Sequence, residues 1–352
     1  HRAGRVQEAD RYYTSILIAQ PKHPDANHNM GVLAVGVGKI QEALPFFKKA
    51  LETNPGIDQF WLSYINALIK LNQVADAKAV LDEAKSKGVK GDGFAETYNN
   101  MGKALKDQGK LEEAKESYKK ALSIKPHYAE AYCNMGIALQ KQGKLEEAIE
   151  SYKKSFSIKP NYAQAYYNMG IALQKQSNLE KAIEAYNKAI LLNPNYAQAY
   201  YNMGSALQDQ GKLDKAIESY NKALSLKPDY AQAHNNIGIV LNNQGKLQEA
   251  IVAYNKALSI KSDYAEAHNN MGKVLQESGA TKEAIQAYKK SILFRSDFAK
   301  AHKNLSFALL SSGSYQEGLD EYEWRWKTDN FLSSFRHFPQ PLWDGQTLSL
   351  IH

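Results

Sequence analysis

The sequence predicts an all-α solenoid of stacked helix pairs. Three observations carry that prediction. First, blocks of 34 residues repeat without gaps, starting at Ala95, Ala129, Ala163, Ala197, Ala231, Ala265 and Ala299. Such a period marks supersecondary units laid side by side. Second, apolar and small residues recur at helical spacing inside each block, as at Tyr132, Met135, Gly136 and Leu139. Third, Gly143-Lys144 interrupts the run, and Leu145, Ala148, Ile149, Tyr152, Phe156 and Ile158 resume it. Lys159-Pro160 then stops the second helix. Gly136, Ala138 and Ala148 are small where the paired helices must approach. One such pair cannot bury its apolar face alone, so neighbouring pairs must stack.

Taken in order, residues 1–23 read as a partial repeat, the second helix of an earlier unit, with Gly4, Ala9, Tyr13 and Pro21 at the expected offsets. The chain opens on His1 rather than Met and is read as a fragment. Residues 24–94 hold two looser repeats, starting at Pro24 and Asp58. The second of these runs to 37 residues, and its three extra residues are expected in a loop over Gly88 to Gly93. Residues 95–328 hold seven 34-residue repeats, and 329–352 form a C-terminal cap or a linker to a further domain. In that last segment Phe331, Phe335, Phe338, Leu342 and Trp343 are too apolar for a free tail and are expected to be buried.

Composition narrows the function classes. The 352 residues include one cysteine, Cys133, so no intramolecular disulfide and no multi-cysteine zinc site can form. The longest uncharged apolar stretch, Gly31 to Gly38, is too short to span a bilayer. A cytoplasmic, reducing compartment is expected. Gly36-Val37-Gly38-Lys39 lacks the following Ser or Thr of a phosphate loop and falls at an inter-helix turn. His234, His268 and His302 lie 34 residues apart, replacing Tyr at a packing position, and do not converge as metal ligands would. No catalytic constellation, metal or cofactor is expected, and the fragment reads as non-enzymatic. The full-length protein stays open on that point.

These units resemble the tetratricopeptide repeat family. Its pattern of aromatic, large, Gly, large, Ala, aromatic and Pro appears as Tyr200, Met203, Gly204, Leu207, Ala216, Tyr220 and Pro228. The pattern recurs over roughly residues 1–326. Departures are local: Ser262 and Ser296 replace Pro, Gly318 replaces Ala, and Tyr64-Ile65 replaces Met-Gly. The resemblance implies a right-handed superhelix, with the first helix of each pair lining a concave groove.

The candidate binding residues lie on that first-helix face. Counting each unit from position 1 at its start, Asn29, Asn100, Asn134, Asn168, Asn202, Asn236, Asn270 and Asn304 occupy position 6, and Ser63 breaks the row. Asn costs a helix interior about half a kcal/mol against Ala, so something must offset it. An amide offers donor and acceptor together and can grip a peptide backbone without reading side chains. Ile137, Ile171 and Ile239 at position 9, with Tyr167 and Tyr201 at position 5, would add apolar contacts. The alternative role for each Asn is a bond to the neighbouring repeat. The row is similar to the asparagine ladder of the O-GlcNAc transferases, which implies backbone contacts at these eight residues. A basic clamp for chain-terminal carboxylates is disfavoured, because only Lys303 is basic at position 5.

The net charge of +7 raises nucleic acid as a partner. Eleven lysines, among them Lys153, Lys154, Lys188 and Lys222, are read as ending the second helices on the outer side. Positions 2, 6, 9 and 13 of the first helices carry six Lys against seven Asp or Glu, a neutral groove that does not funnel phosphates. The expected function is a protein- or peptide-binding scaffold holding an extended segment in an Asn-lined groove, with no nucleic acid and no membrane. The alternative is the substrate-recruiting arm of a larger glycosyltransferase. Its basis is the resemblance of Tyr322 to Trp326 and Phe338 to Gly345 to the junction of bacterial repeat proteins with glycosyltransferase-like domains. The repeat ends and the C-terminal tail are candidate surfaces for self-association.

Overall fold

The computed structural model describes residues 6–89 and 91–324, and every regular element among them is helical. The chain divides into two compact units, His1–Pro194 and Asn195–His352. The first unit holds α1 (Val6–Ala19), α2 (Pro24–Gly36), α3 (Ile40–Thr53), α4 (Asp58–Lys70), α5 (Val74–Ser86), α6 (Gly93–Asp107), α7 (Leu111–Ile124), α8 (Ala129–Lys141), α9 (Leu145–Ile158), α10 (Ala163–Lys175) and α11 (Leu179–Leu192). The second holds α12 (Ala197–Asp209), α13 (Leu213–Leu226), α14 (Ala231–Asn243), α15 (Leu247–Ile260), α16 (Ala265–Glu277), α17 (Thr281–Phe294), α18 (Ala299–Ser311) and α19 (Tyr315–Tyr322). Each repeat is therefore a helix pair, as its sequence period requires.

The pair is fixed by one contact. Position 8 is Gly and position 24 is Tyr in six consecutive repeats, from Gly102 with Tyr118 to Gly272 with Tyr288. A Cβ built on Gly136 would lie 2.6 Å from Cε1 of Tyr152, so only a bare backbone admits the ring. The rings of Tyr118, Tyr152, Tyr186, Tyr220, Tyr254 and Tyr288 are all fully buried. Burying one is worth about 1.5–3 kcal/mol, which outweighs the ~0.5–1 kcal/mol that Gly costs a helix. The Asp58 repeat solves the same packing with the volumes exchanged: Ile65 at position 8 and Leu81 at position 24, both buried.

The turn inside each pair needs a left-handed residue. Gly109, Gly143, Gly211, Gly245, Gly279 and Gly313 take positive φ there, while Asn72 and Ser177 do so without Gly. Gly38 occupies the same turn at φ 83, which places Gly38-Lys39 between α2 and α3.

First helices of neighbouring repeats meet: α2 with α4, α4 with α6, α6 with α8 and α8 with α10 in the first unit, and α12 with α14, α14 with α16 and α16 with α18 in the second. Within each unit, second helices of neighbouring repeats do not meet one another among the described residues. Within each unit the array therefore closes toward the first helices and opens along the second.

Two expectations are adjusted, and a third falls outside the described residues. The interruption lies at 87–92: α5 stops at Ser86, Gly88 takes φ 78, and Gly93 already belongs to α6. Part of the insertion thus extends a helix instead of lengthening the loop. Lys153 and Lys154 do not sit in the last turn of α9, which runs on to Ile158. At the ends of α7, α9, α13, α15 and α17 the cations are the capping residues Lys125, Lys159, Lys227, Lys261 and Arg295. Each lies over the aromatic ring three residues later, from 3.9 Å for Arg295 on Phe298 to 5.1 Å for Lys261 on Tyr264. Helix dipole and ring face thus act on the same charge. The tail residues Phe331, Phe335, Phe338, Leu342 and Trp343 lie outside the described residues.

A side-chain bond holds the hydroxyl of four of these rings, while that of Tyr118 is buried without a partner. The hydroxyls of Tyr152, Tyr186, Tyr220 and Tyr288 donate to Oε1 of Gln140, Gln174, Gln208 and Gln276 at 2.9–3.1 Å. Asn242 occupies the same offset before Tyr254 but is one methylene shorter, and its Oδ1 is buried without a partner. Asn242→Gln is expected to raise the unfolding free energy by about 1 kcal/mol in chemical denaturation, by supplying the missing bond.

Candidate functional site: the asparagine face of the first helices

Position 6 falls on the face each first helix turns toward its neighbours. Asn29, Asn100, Asn134, Asn202, Asn236, Asn270 and Asn304 are half-buried there, and Asn168 is buried. Ile137, Ile171 and Ile239 are half-buried one turn further on.

The amides are tied to the preceding repeat. Asn134 Nδ2 donates to Asn99 Oδ1 at 2.9 Å, Asn270 Nδ2 to Asn235 Oδ1 at 3.1 Å, and Asn304 Nδ2 to Asn269 Oδ1 at 2.9 Å. Each acceptor stands 35 residues earlier, at position 5 of the previous unit. Asn168 makes the same reach to Sγ of Cys133 at 3.7 Å. Asn236 reaches the Tyr201 hydroxyl at 3.1 Å and the Tyr220 hydroxyl at 3.3 Å. Where Ser63 replaces Asn, its hydroxyl pairs with Nε2 of His28 at 2.9 Å. Asn100 instead donates to Asn66 Oδ1 at 3.3 Å, since position 5 of the Asp58 repeat is Leu62, which has no side-chain acceptor.

In the second unit these bonds join into one chain. Asn304 donates to Asn269, Asn269 to Asn270, Asn270 to Asn235, Asn235 to Asn236, and Asn236 to the two tyrosines. Tyr220 then donates to Gln208 at 2.9 Å. Asn269, Asn270 and Asn235 each use one N–H and one carbonyl lone pair internally, which leaves a second N–H and a second lone pair on each of these amides. Asn236 donates twice and keeps only a second lone pair. The position-5 acceptors Asn99, Asn235 and Asn269 were not among the expected site residues. The adjacent pairs Asn99-Asn100, Asn235-Asn236 and Asn269-Asn270 were the signal for them.

The two position-5 tyrosines pack more than they project. Tyr201 lies against Tyr220 and Tyr230, with ring centroids 5.7 and 4.8 Å away, and Tyr167 lies 6.1 Å from Tyr186. Burial raises the Tyr201 phenol above its ordinary range, and the bond from Asn236 partly opposes that shift. Tyr201 therefore stays neutral and serves the inter-repeat bond.

Other candidate chemistries resolve into packing. Cys133 is buried, and burial pushes its thiol up to about 11, so it is protonated and inert. His268 and His302 point Nε2 at the carbonyl oxygens of Ser262 and Ser296, both at 2.9 Å. Burial lowers the pKa of His234 and of His268. No metal-binding cluster occurs among the described residues, and no described helix is long and apolar enough to cross a membrane.

The repeat geometry agrees with comparisons of the sequence. Models of the tetratricopeptide repeat match residues 34–91, 102–143, 141–177, 163–196, 185–218, 207–245, 240–279 and 265–298. The chain belongs to the tetratricopeptide repeat family. A search of curated proteins returns no match. Among solved structures, MamA is 34% identical, with a TM-score of 0.44, over 47% of this chain and 96% of its own. YrrB, described as a tetratricopeptide repeat protein with an unusual peptide-binding site, is 23% identical, with a TM-score of 0.45, over 53% and 96%. A chain of the APC/C hetero-tetramer Cut9–Hcn1 is 18% identical, with a TM-score of 0.53, over 88% and 60%, and shares the fold.

The inter-repeat role of the tetratricopeptide Asn row is measurable. Asn134→Ala and Asn99→Ala are each expected to lower unfolding free energy by about 1 kcal/mol. Because they share one bond, the double variant is expected to lose less than the sum, with a coupling of about 0.5–1 kcal/mol in a double-mutant cycle.

Proposed function

We propose that this tetratricopeptide array is a protein-interaction scaffold, and that each unit holds an extended segment of a partner along its first helices. The ligand face comprises Asn29, Asn100, Asn134 and Asn168 in the first unit, and Asn202, Asn236, Asn270 and Asn304 in the second. The observation that supports this reading is the half-use of the amides. A donated N–H anchors each bonded Asn to its neighbour, which fixes its rotamer. The remaining lone pair, and at Asn134, Asn270 and Asn304 the remaining N–H as well, are then pre-oriented for a peptide N–H and C=O, so little side-chain entropy is lost on binding. Ile137, Ile171 and Ile239 supply apolar contact between these polar clamps.

A backbone-directed grip has a distinct signature. Twelve-residue peptides selected on the full chain from a random display library are to be synthesised and scanned twice, once with Ala and once with backbone N-methylation. N-methylation at alternate residues is expected to weaken binding about tenfold per site, as lost buried hydrogen bonds do. The Ala scan is expected to be shallow. Asn236→Ala with Asn270→Ala should weaken binding while the unfolding transition stays cooperative. Binders that are insensitive to N-methylation and to these Asn changes would overturn the reading.

A further inference from the structure

The Ala299 repeat departs from its predecessors at two positions that meet one ring. In the six repeats before it, position 26 is Lys and position 23 is Ser or Ala. The position-26 lysine faces the position-4 ring of its own repeat. Lys120 lies 5.7 Å from the centre of the Tyr98 ring, and Lys154 lies 6.0 Å from that of Tyr132. Where the ring is His, burial disfavours its protonated form and the lysine adds to that, as Lys256 does at His234 and Lys290 at His268. In the Ala299 repeat Trp324 replaces the lysine and Glu321 the small residue. Both meet His302, which is buried. The indole stacks on the imidazole with centroids 3.8 Å apart and planes 2° from parallel. Glu321 Oε2 bonds to Nδ1, and the Ser296 carbonyl oxygen lies 2.9 Å from Nε2.

Two acceptors thus face two ring nitrogens. A neutral imidazole has one N–H and one lone pair, so it satisfies one acceptor and turns a lone pair on the other. An imidazolium donates to both. The proton belongs on the ring, because a free carboxyl titrates near about 4.3 and a free imidazole near about 6.5. The indole face favours a cation as well. Other charges on the packed elements are engaged elsewhere. On α17, Lys289 pairs with Glu317 of α19 at 2.6 Å and Lys290 acts on His268. Arg295, after α17, pairs with Glu266 of α16 at 2.9 Å. On α18, Lys303 lies over the Phe307 ring, and on α19 Asp320 accepts from Gln316 at 3.2 Å.

We propose that His302, Glu321 and Trp324 form a proton-dependent latch that docks α19 on α18, closed by the imidazolium and released when its proton is lost. The direction with pH follows from counting protons. Docked, the pair holds one. Undocked, an ordinary His and Glu hold none above about pH 6.5, one between about 4.3 and 6.5, and two in stronger acid. Docking therefore takes up a proton above about pH 6.5 and releases one below about 4.3. α19 holds best in mild acid and loosens as pH rises. The latch acts at the end of the array and is independent of any ligand on the Asn face.

The test uses the full chain. Nitrogen NMR of the histidine side chains at neutral pH is expected to show both His302 nitrogens protonated and the His234 and His268 rings neutral. The spectrum of His302→Gln assigns the signal. Amide hydrogen exchange in α19 is measured against α17 and corrected for the intrinsic rate. Its opening equilibrium is expected to rise about tenfold per pH unit above about pH 6.5, the signature of one proton. Glu321→Gln separates the latch from plain packing. Its amide donates to Nδ1 of a neutral ring whose Nε2–H keeps the Ser296 carbonyl, so α19 should stay docked in mild alkali and lose the pH slope. An unchanged thermal midpoint shows that this variant keeps its fold. The two wild-type measurements decide the matter even where it does not. A neutral His302 ring at neutral pH, an α19 opening that ignores mild alkali, or the same slope in a folded Glu321→Gln would each overturn the proposal.

Discussion

A tyrosine ring pressed against a backbone without a Cβ is the constraint on which the rest of the array depends. In each regular repeat that contact sets how close the two helices lie and how they cross. Because it recurs at one offset, every pair adopts the same shape, and pairs of the same shape can stack. The Asp58 repeat shows that the volume matters more than the residue types, since Ile65 and Leu81 fill the same space in reverse. In four repeats a bond from the phenol hydroxyl to a Gln carbonyl then offsets the cost of burying that hydroxyl.

Stacking brings position 6 of one repeat beside position 5 of the one before, and the amide bonds follow. Structure and proposed function do not compete for these residues. A bond to the neighbour immobilises an amide that would otherwise sample several rotamers, and an immobile amide is the better ligand. The same bonds explain why Asn is tolerated inside helices that it disfavours. In the second unit the chain of side-chain bonds runs through four repeats, from Asn304 to Gln208.

Much of this was legible in the sequence, because the information was periodic. The 34-residue period, the Gly–Tyr pair and the Asn row could all be read by superposing units. Less legible was anything that depends on a precise helix end or on two repeats at once. Lys153 and Lys154 were counted in the last turn, although the periodicity already carried that helix to Ile158; they stand one turn short of its end, and the capping cation is Lys159. The position-5 acceptors stand 35 residues from their donors, one more than the period, so they fall out of register when units are aligned. Tyr201 looked like a ligand contact on its stripe, yet its ring is enclosed by Tyr220 and Tyr230.

The central claim is that complementary volume at positions 8 and 24 holds each pair together. Gly238 and Tyr254 test it most directly, because a Cβ on Gly238 would lie 2.6 Å from the Tyr254 ring. The measurement is a double-mutant cycle by chemical denaturation with Gly238→Ile and Tyr254→Leu, copying the Ile65–Leu81 pair. Gly238→Ile alone is predicted to cost about 3 kcal/mol or more through overpacking. The double variant is predicted to be more stable than the sum of the single changes by at least about 1.5 kcal/mol. Strict additivity, with the double variant as damaged as the sum, would contradict the account.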